Sequence, residues 1–270
     1  MVVHHNLSSI NTNRQMGVVT NALQKSTEKL SSGYKINRAA DDAAGLSISE
    51  KMRSQIRGLN KASDNAQDGI SLIQVAEGAL NETHSILQRM NELATQAAND
   101  TNTSVDRQSI KDEIKQLNEE LDRISSTTQF NKQDLLTGGF SGKLQVGALE
   151  GQTMDVKISL AVSAKGLNVS AVEVSTNAKA GAAMQSIQDA IESVSKQRSK
   201  LGAIQNRLEH TINNLDTNAE NTQAAESRIR DTDMADEMVQ YSKNNILSQA
   251  GQSMLTQANQ QTQGVLSLLQ

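Results

Sequence analysis

The feature that most constrains this chain is a seven-residue apolar repeat that runs through two separate stretches of the sequence. Sustained heptads are typical of α-helices that wrap around one another, because a 3.5-residue period keeps the apolar stripe facing a partner helix. Each stretch therefore predicts a helix on the order of 60 to 80 Å long, in an antiparallel coiled-coil arrangement. The two rows are Met52, Leu59, Ala66, Ile73, Leu80, Leu87 and Ala94, and Ile187, Val194, Leu201, Leu208, Leu215, Thr222 and Ile229.

The absence of proline allows such helices to run without interruption. Average usage of about 5% would put roughly 13 prolines in a chain of this length, and proline is the main breaker of helix interiors; the sequence has none. Aromatic residues make up only 1% of the chain, so the buried surface must come from smaller side chains in thin layers. Both observations favour paired helical rods over a compact core.

A third helix is predicted between the two heptad stretches. Thr103 and Asp106 have the spacing of a capping box, and apolar residues follow from Ile110 to Ile124 at alternating steps of four and three. The polar residues 99–104 then form the reversal that folds this helix back on the first rod.

The pattern changes to an alternation of apolar and polar residues in the middle of the chain. Residues 144–148 and 154–160 alternate in this way and are separated by a turn at 150–152, which predicts a β-hairpin. Residues 167–174 are compatible with a further short strand. The predicted fold class is therefore mainly α, with one small β-hairpin region at about residues 140–175.

Both ends of the chain carry almost no charge. Arg14 is the only charged side chain in residues 1–24, and Lys243 is the only one in residues 238–270. The ends have sparse apolar stripes, with a phase break between Ile10 and Met16, and too little apolar area for stability in isolation. We therefore predict discontinuous terminal helices that become ordered only once they are packed against a partner. The candidate residues for this assembly contact are Leu7, Ile10, Leu23, Leu247, Met254, Val265 and Leu268.

Composition also argues against several function classes. The chain has no cysteine, which rules out disulfides and thiol chemistry, and its formal net charge of −4 is unlike that of a nucleic-acid binder. No apolar run reaches the roughly 18 residues of a membrane span. The first residues lack the basic and apolar regions of a secretory signal, so secretion without a cleavable signal peptide is expected if the protein leaves the cell.

No catalytic, cofactor or metal site is predicted. The pair Asp41 and Asp42 resembles an acid/base pair, and residues 231–233 resemble a DxD metal motif, but both sites suit the capping of a following helix, with Arg38 as a counterion for the first. The histidines do not cluster at a spacing that would bind a metal.

Two motifs at mirror positions resemble bacterial flagellin. Residues 30–46, LSSGYKINRAADDAAGL, are similar to the N-terminal signature of that family, and residues 226–235, ESRIRDTDMA, are similar to the C-terminal one. The resemblance covers about residues 1–150 and 180–270. It implies a minimal flagellin, with inner-tube terminal helices at 1–44 and 227–270, an outer-tube helical domain at 45–226, and none of the large variable outer domains.

The resemblance also implies a function and partners. The expected function is the structural, non-enzymatic subunit of the flagellar filament, exported through the flagellar type III apparatus to the extracellular filament. The expected partners are further copies of the chain, an export chaperone that binds the C-terminal region, and hook-associated and cap proteins, without nucleic acid or membrane.

One segment resembles the surface that a host receptor recognises. Residues 88–94, QRMNELA, are similar to the flagellin segment bound by the vertebrate toll-like receptor that senses flagellin. The resemblance assigns receptor contacts to Arg89, Leu93 and Glu113. The alternative is structural: Leu93 packs in the second apolar row, and Arg89 is a solvated charge.

Two other functions remain open at this point. A hook-associated junction protein shares the terminal helices but is usually larger. A coiled-coil adaptor explains the heptads but neither the two motifs nor the uncharged ends.

Overall fold

The structure, a computed structural model, describes residues 6–267, and side-chain packing from residue 6 to residue 261. Its described part is mainly helical, which confirms the predicted fold class. The helices are α1 (Leu7–Ser32), α2 (Ala43–Ala97), α3 (Ser104–Thr127), α4 (Asn177–Arg230) and α5 (Met234–Ser267). The strands are β1 (Gln129–Phe130), β2 (Gln133–Asp134), β3 (Phe140–Gln145) and β4 (Thr153–Ile158).

The chain divides into two compact units. Unit 1 comprises Met1–Ser54 and Asn221–Gln270, and unit 2 comprises Gln55–Glu220. Helices α2 and α4 contribute residues to both units. The domain limits expected from the resemblance lie nearer the chain ends, at residue 44 where unit 1 extends to Ser54, and at residue 227 where unit 1 resumes at Asn221. None of the helices in the described residues has an apolar stretch long enough to cross a lipid bilayer.

The core of unit 2 consists of the predicted heptad rows. In α2 the row is fully buried at its centre, and α4 supplies a matching row from Ile187 to Leu208. Helix α3 adds Ile114 and Leu121 to the same core. Burial of one large aliphatic side chain contributes roughly 1.5 to 3 kcal/mol, so these rows are the main source of stability. The apolar residues of α2 with no exposure are Ala66, Ile73, Ala76, Leu80, Leu87, Met90, Ala94 and Ala97.

The start of α3 confirms the predicted capping box. The Thr103 hydroxyl accepts a hydrogen bond from the Asp106 amide, and the Asp106 carboxylate accepts one from the Thr103 amide at 2.9 Å. The Thr103 hydroxyl also donates to the Asp106 carboxylate at 2.8 Å. This bond first, and the bond from the Thr103 amide second, hold the pKa of Asp106 below its usual range, because both favour the charged carboxylate. The reversal between α2 and α3 lies at residues 98–103, close to the predicted segment.

The predicted β-hairpin is present, with a shorter extent than expected. Strands β3 and β4 pair antiparallel from Phe140 with Ile158 to Gln145 with Thr153. Gly151 has a φ of +83° in the connecting turn, a conformation that glycine adopts without strain. The short pair β1 and β2 precedes this hairpin and was not predicted.

The prediction of a strand at residues 167–174 is wrong. This segment is a loop in which the Val169 amide donates to the Ala164 carbonyl at 2.9 Å, and Asn168 has a φ of +58°. Its alternating apolar residues are nevertheless buried, because Leu167, Val169 and Val174 pack into the core of unit 2 as a loop. The alternation is limited to Leu167 and Val169, because Ala171 is exposed, and it reflects burial in a loop and not strand pairing.

Glycines in α2 allow the hairpin to lie directly on the helix. A Cβ at Gly58 would lie 2.8 Å from the Cβ of Ala148, and one at Gly69 would overlap the side chain of Leu144. Between them, the Asn65 side chain donates to the Gln145 carbonyl at 3.1 Å. In contrast, a Cβ at Gly78 of the same helix would meet nothing within 4 Å.

We predict opposite effects of alanine at two of these glycines. Gly78→Ala should stabilise the protein by about 0.5 to 1 kcal/mol, since alanine has the higher helix propensity and the site is open. Gly58→Ala should destabilise it by about 1 to 3 kcal/mol, because the added methyl group overpacks the contact with Ala148. Chemical denaturation of the two variants measures both changes. Stabilisation of equal size at both sites would contradict the close approach of the hairpin.

Candidate assembly and receptor surfaces

The facing sides of α1 and α5 combine small and polar residues with a few apolar ones, among them Met16, Val19 and Leu23 of α1 and Leu255 of α5. The two helices pack against each other along their length. Gly251 of α5 faces Met16 of α1, where a Cβ would be in ordinary contact at 3.8 Å. Sparse apolar contact makes this seam weaker than the core of unit 2. The half-buried or buried residues of α5 are Glu237, Tyr241, Asn244, Asn245, Ser248, Gly251, Leu255 and Ala258.

Hydrogen bonds replace apolar contact at the outer end of this seam. The Asn6 side chain donates to the Ala258 carbonyl at 3.0 Å, and the Ser9 hydroxyl donates to the Asn259 side chain at 2.9 Å. The inward row of α1 passes through Asn6, Ser9 and Thr12 before it becomes apolar at Met16. The phase break in the apolar pattern is therefore a change of row within one continuous helix, which turns Leu7 and Ile10 outwards.

The other end of the seam is a junction where both chain segments leave their helices. The Lys35 amide donates to the Arg230 carbonyl at 2.7 Å, and the Thr232 amide donates to the Gly33 carbonyl at 3.0 Å. These bonds flank an antiparallel bridge between Tyr34 and Asp231. The guanidinium of Arg230 lies 4.7 Å from the centre of the Tyr34 ring, a cation–π distance. Residues 33–35 and 230–232 are thus held in register.

The acidic pairs at this junction act as caps, as predicted. Asp42 accepts a hydrogen bond from the Gly45 amide at 2.9 Å, and Asp233 accepts one from the Ala235 amide at 2.8 Å. The amides of Arg38 and Asn37 donate to Asp41 and hold its pKa below the usual range, with the Arg38 amide as the largest cause. The expected counterion role of Arg38 is wrong in detail, because its side chain pairs with Glu28 at 3.0 Å.

The predicted polymerisation residues do not share one surface in the isolated chain. Leu23 is half-buried on the seam, whereas the other four described candidates point to solvent. The side chain of Val265 and the whole of Leu268 lie outside the described residues. The exposed four are Leu7, Ile10, Leu247 and Met254.

The structure adds further exposed apolar residues that the sequence analysis did not select. Val239 and Ile246 are seven residues apart on α5 and are 67% and 66% exposed. Because seven residues span almost two helical turns, they share one side, and Leu247 and Met254 share another by the same step. Met234 and Met238, four apart, occupy a third. Heptad spacing was the signal that could have identified them.

Two of the three predicted receptor contacts meet at the surface of unit 2. The guanidinium of Arg89 on α2 lies 2.9 Å from a carboxylate oxygen of Glu113 on α3, and 3.1 Å from Glu92. Hydrogen bonds to Glu113 first, and then to Glu92, raise the pKa of Arg89 above its usual range. The pair therefore presents a fixed arrangement of one positive and two negative groups.

The third predicted contact, Leu93, lies beneath this surface. It is only 2% exposed and belongs to the hydrophobic core of unit 2. A direct contact with a receptor is incompatible with this burial, and the structural alternative accounts for the residue. Leu93 is one helical turn from Arg89 and supports the backbone that carries it.

The described residues do not form a site for a metal ion. Residues 6–267 contain no group of three or more His, Asp or Glu side chains placed to bind one. The polar groups of the junction and of the Arg89 pair are already engaged with one another. Their arrangement stabilises helix ends and helix pairs.

Comparisons with known proteins identify relatives of the whole chain. The family model for the bacterial flagellin N-terminal helical region matches residues 3–141, and that for the C-terminal helical region matches residues 184–269. A flagellin of Halalkalibacterium halodurans is 55% identical over 271 residues, which cover 100% of both chains.

Solved structures show the same helical fold. The crystal structure of Bacillus cereus flagellin is 34% identical with a TM-score of 0.51, and covers 60% of this chain and 94% of that one. A putative flagellar hook-associated protein from Vibrio parahaemolyticus has a TM-score of 0.62 at 16% identity, and covers 71% of this chain and 100% of that one. At this identity the second comparison shows the fold alone.

The burial of Leu93 can be tested by comparing how alanine at Leu93 and alanine at Arg89 change the stability of the protein. Leu93→Ala should destabilise the protein by about 2 to 5 kcal/mol, since it removes a fully packed side chain. Arg89→Ala should leave the melting temperature nearly unchanged, because the side chain is exposed and surface ion pairs contribute little. Thermal unfolding by circular dichroism measures both. Equal melting temperatures for parent and Leu93→Ala would contradict the core position.

Proposed function

Since this chain belongs to the bacterial flagellin family and is a structural subunit of the extracellular flagellar filament, we propose that its terminal helices α1 and α5 are the surfaces through which subunits polymerise. The proposal assigns the inner-tube role to residues 1–44 and 227–270. The outer-tube role falls to residues 45–226.

The observation that carries this proposal is the apolar surface of α5. Its faces away from α1 expose Val239, Ile246, Leu247 and Met254, with Lys243 as the only charge after residue 238. A helix that is apolar on several sides requires burial by more than one neighbour. Further copies of the same chain supply those neighbours in a polymer.

The weakness of the α1–α5 seam supports the same conclusion. Ordering one residue costs about 1 to 2 kcal/mol, and a seam whose apolar side chains are few and mostly only half-buried offsets little of that cost. Contacts with other subunits then provide the missing stabilisation. Polymerisation and ordering of the ends are therefore coupled.

The alternative functions have less support. The putative hook-associated protein is similar in fold at 16% sequence identity, whereas the flagellin relative aligns over the whole chain at 55% identity. A coiled-coil adaptor leaves the flagellin-like termini without a role. The filament subunit accounts for both terminal regions and for the small size of the chain.

The same surfaces suit the remaining flagellar partners. An export chaperone that covers the C-terminal region shields the exposed face of α5 before assembly. Hook-associated and cap proteins continue the tube at its two ends and therefore contact the same terminal helices. Export as an unfolded chain through the type III apparatus agrees with a sequence that has no proline or cysteine to delay refolding.

Recognition by the vertebrate toll-like receptor for flagellin is assigned to the pair of Arg89 and Glu113. Their ion pair joins α2 to α3 and presents paired charges that a complementary surface can bind. Leu93 positions Arg89 from below.

Removal of the C-terminal helix tests polymerisation. A subunit that lacks residues 238–270 should keep the helicity of unit 2, remain monomeric and fail to elongate filament seeds, because it has lost the apolar faces of α5. Sedimentation and seeded-growth microscopy are the measurements. Filaments grown from the truncated subunit would exclude the terminal helices as the polymerisation element.

A finer pair of variants keeps the helix and changes only its outer face. Val239→Asn with Ile246→Asn should block elongation, because amide side chains in a buried interface lose hydration. Gln240→Asn with Gln252→Asn is the matched control at exposed polar positions of α5 and should elongate normally. Equal growth of both pairs would show that the outer face is not buried on assembly.

The receptor assignment has its own matched control. Arg89→Ala with Glu113→Ala should weaken binding of the monomer to the receptor ectodomain without loss of helicity, since both residues are exposed. Glu120→Ala with Arg123→Ala removes another exposed ion pair, on α3, and should bind as the parent does. Titration calorimetry compares the three proteins, and an unchanged affinity for the first pair removes this surface from the assignment.

A further inference from the structure

The accessible methionines of this chain are concentrated on one helix. Among methionines whose packing the structure describes, the residues that are at least 48% exposed are Met234, Met238 and Met254, and all three belong to α5. The others are buried or half-buried: Met16, Met52, Met90, Met154 and Met184. A small oxidant in solution therefore reaches the thioethers of α5 most readily.

We propose that Met234, Met238 and Met254 form an oxidation-sensitive site, at which a peroxide converts the free subunit into a form that cannot join the filament. The proposal rests on the assembly role of α5 stated above. It adds a chemical modification and a class of reactant to that surface.

The reaction needs only the oxidant. The thioether sulfur attacks one oxygen of hydrogen peroxide, the O–O bond breaks, and the sulfur keeps that oxygen as a sulfoxide while the other oxygen leaves as water. The sulfur is oxidised by two electrons and the peroxide is reduced by two. The product is a polar, chiral side chain in place of a flexible apolar one.

The consequence follows from the positions of the three residues. Met254 lies one heptad from Leu247, on a side of α5 that becomes apolar contact in a polymer, and Met234 and Met238 occupy a separate side one turn apart. A sulfoxide at either position must lose its hydration when a neighbouring subunit covers it, which costs free energy that burial of the thioether does not. The same contact excludes the oxidant once the subunit is incorporated. Oxidation therefore acts on the subunit before assembly.

Peroxide treatment of purified monomer tests the site. Mass spectrometry of peptides gives the sulfoxide content at each methionine, circular dichroism gives the helicity, and sedimentation after seeding gives the critical concentration for elongation. Full oxidation of the three residues should raise the critical concentration at least about tenfold without loss of helicity in unit 2. Elongation of the oxidised monomer at the parent's critical concentration would overturn the proposal.

A variant with leucine at all three positions is the matched control. Met234→Leu, Met238→Leu and Met254→Leu conserve volume and apolarity, so this variant should elongate normally and remain able to do so after the same treatment. If it loses elongation as the parent does, other methionines are responsible and the inference is wrong. Preformed filaments give an independent measurement: the three residues should oxidise much more slowly there than in monomer, and equal rates would also overturn the inference. Failure of untreated parent to elongate would instead refute the proposed function.

Discussion

Burial of the heptad rows in α2, α3 and α4 is the interaction on which the rest of the chain depends. The central residues of these rows, such as Ile73, Leu80 and Leu201, have no exposed surface. A polar pair at the edge, in which the Ser63 hydroxyl donates to Asp216 at 3.0 Å, matches the two long helices at one register. Unit 2 can therefore be stable within one chain. Among the described residues of unit 1, buried apolar side chains are few, with Ile36 and Ala258 as examples.

In the terminal helix α5, apolar residues seven positions apart are exposed, whereas in unit 2 they are buried. In unit 2 the heptad positions face a partner helix of the same chain, whereas Val239 and Ile246, or Leu247 and Met254, face solvent. The inward side of α5 is instead occupied by residues such as Gly251 and Ala258, which bring α1 close but bury little area. Apolar repeats thus mark contacts within a subunit in one region and, in the assembly proposed above, contacts between subunits in the other.

Periodicity predicted most of the fold because it reports burial directly. The two long helices, the capping box at Thr103 and the hairpin turn near Gly151 were all predictable from spacing and local chemistry. The inward residues at the start of α1 were not, because Asn6 and Ser9 make hydrogen bonds there and such residues carry no apolar signal. The role of the glycines in α2 was also not predictable from the sequence. Only the position of the hairpin shows that Gly58 leaves no room for a side chain. For the receptor surface, spacing placed Arg89 and Leu93 on one face but could not separate the exposed residue from the buried one.

The junction between the long and the terminal helices explains how one chain keeps both ends in register. Gly33 ends α1 with a φ of +75°, which a residue with a side chain adopts only with strain, and its amide donates to the Lys29 carbonyl at 2.8 Å. The helices that follow each break restart on Asp42 and Asp233 as caps. Because the bridge between Tyr34 and Asp231 lies at both breaks, a slip of one residue in either segment would break its two hydrogen bonds and move Arg230 off the Tyr34 ring. The alignment of α1 with α5 is consequently set by the hydrogen bonds of the junction. The weak contacts along the rest of the seam do not need to determine it.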